Sequence, residues 1–174
     1  GATNVTVDNV TATAANYTVN LAGSAENAVV AIKNSNLTGL NVVNVAAAGA
    51  KVTVDNTALT CNDQTEAESY AALMLNDDAA GATITATGDV TAKTLKVGGE
   101  LNLTAVNADI TTATVGSLEA NVENLTSTDL LDVAGDATIT ATGDVTAETL
   151  KVGGELKLNA VNATVTDVDV NGNA

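Results

Sequence analysis

The chain contains no histidine, proline, phenylalanine or tryptophan, and it has only one cysteine, one methionine and two tyrosines. Without aromatic bulk, its core must be built from small aliphatic side chains and must therefore be thin and regular. A single cysteine, Cys61, excludes an internal disulfide. No apolar run is long enough to span a membrane as a helix, so we expect no membrane insertion of this segment.

Positive charge is also scarce. Twenty-one acidic residues are set against six basic ones, all of them lysine, and the formal net charge is −15. Such a surface repels phosphate backbones and anionic lipid headgroups, and nucleic-acid affinity depends on contacts between cations and phosphates. The composition therefore excludes nucleic acid as a partner, and we interpret the acidic excess as favouring solubility.

The most informative feature present is a repeat. The segment TITATGDVTAKTLKVGGEL at 83–101 returns at 138–156 with one change, from Lys93 to Glu148. This copy lies over a weaker period of about twenty residues, which is typical of stacked repeat architectures. The period divides the chain into about eight turns, which we place at 1–27, 28–50, 51–82, 83–100, 101–121, 122–137, 138–155 and 156–174.

Within each turn, short stretches alternate aliphatic and polar residues, as in VTV at 5–7 and at 52–54. This alternation predicts strands with one buried face. Polar corners follow at the same place in successive turns, for example NSNLT at 34–38 and NTALT at 56–60. Three short strands per turn predict an all-β fold, a parallel β-helix of about eight turns in one domain spanning 1–174. A sandwich of antiparallel hairpins is the alternative.

Asparagine and glycine mark the corners of the predicted turns. We expect corner asparagines to stack their amides between turns and to adopt left-handed backbone geometry. We interpret two glycine pairs as tight corners. The asparagines are Asn34, Asn56, Asn107 and Asn162, and the glycine pairs are Gly98–Gly99 and Gly153–Gly154.

The third turn carries an insertion at 61–81. Insertions in solenoids form loops on one face and often bind ligands. The candidate ligand-binding residues of this loop are Asp63, Glu66, Glu68 and Tyr70. The alternative is a loop without a function, with the segment AALML at 71–75 rejoining the core.

Two sets of acidic residues are candidates for Ca²⁺ binding, because carboxylates are its preferred ligands. One set is the adjacent pair Asp77 and Asp78, and the other is a column formed by Asp89, Asp109 and Asp144. The chain has no glycine-rich nonapeptide of the kind that binds Ca²⁺ in β-rolls. We therefore expect no metal and no other cofactor.

Catalysis is not expected. An acidic pair such as Asp77 and Asp78 can belong to the catalytic set of a β-helical polysaccharide hydrolase, but those enzymes also rely on histidine and other basic residues. A lyase would need a basic residue beside its substrate. Lys96 and Lys151 each lie between a leucine and a valine of a predicted strand, and we expect both to be surface charges.

The segments VTVDNTALT and GDVTA, followed by LKVGGEL, resemble the repeats of right-handed parallel β-helix surface proteins of bacteria. These include filamentous-haemagglutinin-like adhesins, autotransporter passengers and pectate-lyase-like adhesive domains. The resemblance implies a right-handed helix and a secreted or cell-surface location, in a piece of a longer repetitive protein.

We interpret the chain as a non-enzymatic stalk or adhesin, for which a surface glycan or protein is the expected partner. One alternative is a glycan-binding β-helix module without catalysis, which would present a groove of outward polar residues on one face. Another is a polymer-forming β-helix that associates end to end through its strand edges.

Overall fold

The computed structural model describes residues 4–21, 27–45, 50–61, 73–75, 81–85 and 90–172. No helix occurs among these residues, and every strand pairing between them is parallel. Strands far apart in sequence pair in order, each on the strand one turn earlier. This topology confirms the predicted parallel β-solenoid and excludes the sandwich of antiparallel hairpins.

Short strands build the N-terminal half, and longer strands that continue around corners build the C-terminal half. In chain order they are β1 (Asn4–Asp8), β2 (Thr11–Thr13), β3 (Tyr17–Leu21), β4 (Val29–Lys33), β5 (Asn36–Gly39), β6 (Asn41–Val45), β7 (Lys51–Asp55), β8 (Ala58–Cys61), β9 (Leu73–Leu75), β10 (Gly81–Thr85), β11 (Val90–Val133), β12 (Ala137–Ala141), β13 (Asp144–Val152), β14 (Leu156–Asn159) and β15 (Asn162–Val170).

The first face of the solenoid is a continuous stack of parallel strands. It runs through β1, β4, β7 and β10, then through residues 100–104 and 118–122 of β11, and ends with β12 and β14. These strand segments begin close to where the sequence period places the turns. The sixth is an exception, because it begins at Leu118 and not at 122.

Two further faces complete each turn. On the second face β2, β5 and β8 stack in order, and on the third face β3, β6, β9 and β11 do so. Farther along the chain, β11, β13 and β15 continue both faces, because each of these strands passes around the corner between them. Residues 73–75 of the predicted insertion therefore belong to the stack, as the AALML alternative expected.

The core lies inside the coil and consists of aliphatic columns. On the first face Val30, Val52, Ala82 and Leu101 form one buried column. Each alternates with a polar or small residue that faces outward, which confirms the predicted pattern. In the first and last turns the corresponding aliphatic side chains are only partly buried, because each has a neighbouring turn on one side only.

In the last turn the strand pairing differs from the sequence alignment. The corner motif appears as TGDVT at 142–146 and as NATVT at 162–166, which predicts that Val145 and Val165 occupy equivalent positions in neighbouring turns. In the structure Val145 pairs with Ala163, and Val165 pairs with Ala147. The strand is therefore displaced by two residues, which leaves the same side chains facing inward. The handedness of the coil stays a prediction of the resemblance.

Candidate functional site

The side chains of the predicted ligand loop and of the acidic pair lie outside the described residues: Asp63, Glu66, Glu68, Tyr70, Asp77 and Asp78. Their roles as ligand-binding or Ca²⁺-binding residues stay predictions. Within the described ranges, no three histidine, cysteine, aspartate or glutamate side chains are grouped as a metal site would require.

The predicted column of aspartates is not formed by its two described members. The backbone N–H of Asp144 donates to Oδ1 of Asn124 at 2.8 Å, and Nδ2 of Asn124 donates to Oδ1 of Asn107 at 2.8 Å. Asp144 therefore follows the column of Asn107 and Asn124, whereas Asp109 lies two residues further along its strand. In place of the predicted column of aspartates, the structure has a column in which the amides of Asn107 and Asn124 are hydrogen-bonded and Asp144 follows them.

Asparagine ladders are the most regular polar feature of the surface. Nδ2 of Asn34 donates to Oδ1 of Asp8 at 3.1 Å, and Nδ2 of Asn56 donates to Oδ1 of Asn34 at 3.0 Å. A similar bond of 2.9 Å joins Asn44 to Asn20 on the third face. These bonds confirm the predicted stacking of amides between turns at Asn34 and Asn56.

All of these ladders have the same direction: the side chain of the later turn donates, and that of the earlier turn accepts. Carboxylates fix this direction, since Asp8 and Asp144 can only accept from Asn34 and Asn162 respectively. A carboxylate fits in a ladder where it accepts a hydrogen bond from the following turn and does not have to donate one to the preceding turn.

The predicted left-handed backbone geometry occurs at only some of the corner asparagines. Asn34 has φ of 48° and Asn56 has φ of 44°, in the left-handed region that asparagine tolerates. Asn107 and Asn162 lie within β11 and β15 and do not adopt positive φ. The prediction of left-handed geometry is therefore wrong for these two, because they stack from within strands.

A second ladder, made of hydroxyl groups, was not predicted. The backbone N–H of Val10 donates to Oγ of Ser35, and the N–H of Ser35 donates to Oγ1 of Thr57, both at 3.1 Å. Each hydroxyl donates in turn to a carbonyl of its own corner, that of Lys33 or Asp55. Ser35 and Thr57 are buried, so the bond between them satisfies a backbone N–H that water does not reach.

Glycines form a third column at the corner between the third and first faces. A Cβ on Gly116 would clash with the carbonyl oxygen of Gly98 and would lie 2.6 Å from that of Gly99. A Cβ on Gly135 would lie 2.9 Å from the carbonyl oxygen of Gly116. The column continues through Gly154, so these corners need glycine because neighbouring turns approach closely.

A cleft of about 440 Å³ lies beside this column. It is lined by Lys96, Val97, Gly98, Thr114, Val115, Gly116 and Ala134. Lys96 lies between buried Leu95 and Val97 of its strand, as predicted.

One lysine and one threonine are among the lining residues, and their side chains carry an ammonium and a hydroxyl group. These groups can donate hydrogen bonds to hydroxyl or carboxylate oxygens of a ligand. Among the described residues that line the cleft, none carries a carboxylate.

Comparison with known proteins finds no match among family models, curated proteins or solved structures. The described residues also include no helix that could span a membrane. Functional inference therefore depends on the surface and the stacking.

Proposed function

We propose that this chain is a structural module of a repetitive bacterial surface or secreted protein, in which it acts as a rigid stalk that holds other segments at a distance. The single observation that supports this role is the succession of inter-turn hydrogen bonds. Backbone pairing joins each turn to the next along one axis, and amide and hydroxyl ladders add side-chain hydrogen bonds between several of these turns. An adhesive role would use the same stalk to present a glycan-binding or protein-binding surface.

A distance measurement tests the stalk. Thr6 and Lys157 are exposed and occupy the same outward column of the first face. Spin labels at Thr6→Cys and Lys157→Cys, in a Cys61→Ser background, would be separated by seven turn-to-turn steps. At about 4.8 Å per step, the expected separation between backbones is about 34 Å.

A second labelled pair provides the control. Labels at Thr53→Cys and Lys157→Cys span five steps, so their separation should be shorter by about 10 Å. A rigid stalk gives two narrow distributions that differ by this amount. A broad distribution for the long pair would contradict the proposed role.

A glycan-binding module is the second candidate, and the cleft at Lys96 and Thr114 is the observation that favours it. The main argument against this candidate is the scarcity of aromatic side chains, which supply stacking surfaces for planar and apolar ligand faces. Among the described residues only Tyr17 is aromatic, and its strand β3 lies three turns before the strand of Lys96 on the third face.

A glycan-array screen of the purified domain, with and without Ca²⁺, distinguishes the candidates. Three proteins should be compared: the parent chain, Lys96→Ala, and a variant without residues 62–70. Binding lost with Lys96→Ala would assign recognition to the cleft, and binding lost with the deletion would assign it to the predicted loop. A folded protein that binds no glycan supports the stalk alone.

A further inference from the structure

The repeated segment occupies equivalent places in two turns. Ala82 and Ile84 of β10 and Ala137 and Ile139 of β12 are buried in the same inward positions, 55 residues apart. Their outward neighbours also correspond. The block 83–137 therefore begins and ends at the same point of the coil, three turns apart.

The two copies lie on different turns. β10 pairs with β7, where Ala82 lies on Val52 and Ile84 on Val54. β12 pairs with residues 118–122 of β11. One segment is thus accommodated by two different underlying turns, with the alternation of side chains unchanged.

Above the copies, the neighbouring turns are nearly the same. Residues 100–104 pair with β10, and β14 pairs with β12. Leu101 and Leu103 on the first copy correspond to Leu156 and Leu158 on the second. The interface above the repeated strand therefore has the same inward side chains in both places.

These pairings determine what a shortened chain would contain. Removal of residues 83–137 joins Ala82 to Thr138 and restores the letters GATIT, which are those of β10. This strand would lie on β7 as β10 does, and β14 would lie on it as it does on β12. On the third face the segment TLKV at 149–152 would replace TLKV at 94–97 above β9.

An additional copy of the block also creates no new type of interface on the first face. Inserted after Ala137, its first strand would lie on residues 118–122, as β12 does. Its last turn would then support the present residue 138 in the same way. Each junction repeats one that the chain already contains.

We propose that residues 83–137 form a length unit that this solenoid can lose or repeat without a new inter-turn interface. Each unit changes the length by three turns, or about 14 Å. The proposal deepens the proposed stalk function, because copying or losing the block would adjust the length of the stalk. Only this biological purpose rests on the proposed function.

Three variants test the proposal: deletion of 83–137, duplication of 83–137, and deletion of 83–119 as a matched control. The control joins Ala82 to Ala120 and places this inward residue in the outward position of Thr83, so the alternation of the following strand is inverted. Circular dichroism, thermal unfolding and small-angle X-ray scattering are measured for each variant and the parent.

We expect the 55-residue deletion and the duplication to keep the β-sheet spectrum and cooperative unfolding, with maximum dimensions about 14 Å shorter and longer than the parent. The control should lose cooperative unfolding. A duplicated chain that is unfolded, or not longer, would overturn the proposal whatever the shortened chain does, because duplication adds turns and removes none. These measurements do not depend on ligand binding or on how the stalk is used. A result that refutes the length unit therefore leaves the proposed function untested, and the two can be judged separately.

Discussion

Replacing Asn34 with aspartate tests the direction of the amide ladder with a change of nearly constant shape. In the parent chain, Asn34 donates through Nδ2 to Asp8 and accepts through Oδ1 from Asn56. An aspartate can still accept from Asn56 but cannot donate to Asp8. The exchange therefore removes one bond and places two carboxylates in contact.

The expected cost follows from these two effects. A hydrogen bond of this kind contributes about 1 kcal/mol net. Two unit charges about 4 Å apart repel by about 1 kcal/mol in water, and both side chains are exposed, so the solvent-screened value applies. We expect Asn34→Asp to lower the free energy of unfolding by about 2 kcal/mol at pH 7.

Two companion variants isolate the direction of the ladder. Asp8→Asn keeps an acceptor for Asn34 and should change the free energy of unfolding by less than about 0.5 kcal/mol. In the double variant Asp8→Asn with Asn34→Asp, the amide introduced at position 8 can donate to the carboxylate introduced at position 34, which also accepts from Asn56. The double variant should therefore recover most of the loss.

Urea denaturation of the four proteins at pH 7 and below about pH 4 provides the measurement. In Asn34→Asp the folded state disfavours the charged carboxylates, so the penalty is present at neutral pH and decreases as the pH falls and one carboxyl becomes a donor. Equal losses in Asn34→Asp and Asp8→Asn, or no recovery in the double variant, would refute the directional ladder.

Further substitutions test the other two columns. Gly116→Ala should lower the free energy of unfolding by about 1–3 kcal/mol through its clash with Gly98, whereas exposed Thr114→Ala should change it by less than about 0.5 kcal/mol, as thermal denaturation would show. Thr57→Val should cost about 1–3 kcal/mol, because it leaves the N–H of Ser35 without its hydroxyl acceptor. Thr57→Ser keeps the hydroxyl, and urea denaturation should give a smaller loss; equal losses would contradict the role of this bond.

The sequence predicts the fold wherever alternation and corners coincide. Val52 and Val54 beside the corner at Asn56 are an example, because a parallel stack needs both the inward pair and the turn. Alternation has a period of two, however, so it cannot distinguish a pairing from one displaced by two residues. This explains why the corner motif aligns Val145 with Val165 although its partner is Ala163.

The boundaries of the sixth turn were predicted wrongly for a different reason. Ser127 is buried where other turns place an aliphatic residue, and the pairing of β11 with β13 shifts between Ser127 and Leu130. A serine at an inward position hides the strand from a hydrophobic pattern, and the bulge adds one residue to this turn. The length of the turn that begins at Leu118 could therefore not be predicted from spacing.

The surface features differ in how far they can be predicted from the sequence. Stacking at Asn34 and Asn56 follows from their recurrence at corners. The partners of Ser35 and Thr57 do not, since a hydroxyl that accepts from the preceding turn has the same sequence signature as any corner serine or threonine. The cleft beside Gly116 also depends on which turns are neighbours, because its lining comes from three separate stretches of chain.

The orientation of the backbone hydrogen bonds has a mechanical consequence. Because they run along the solenoid axis, a pulling force on the two ends loads one inter-turn interface after another instead of shearing many bonds together. The turn between Leu118 and Ala137 contains 19 residues by their pairing. If peeled off, it would extend by roughly 60 Å at about 3.3 Å per residue. Under tension such a stack would therefore yield in steps, which would limit the peak force that it transmits.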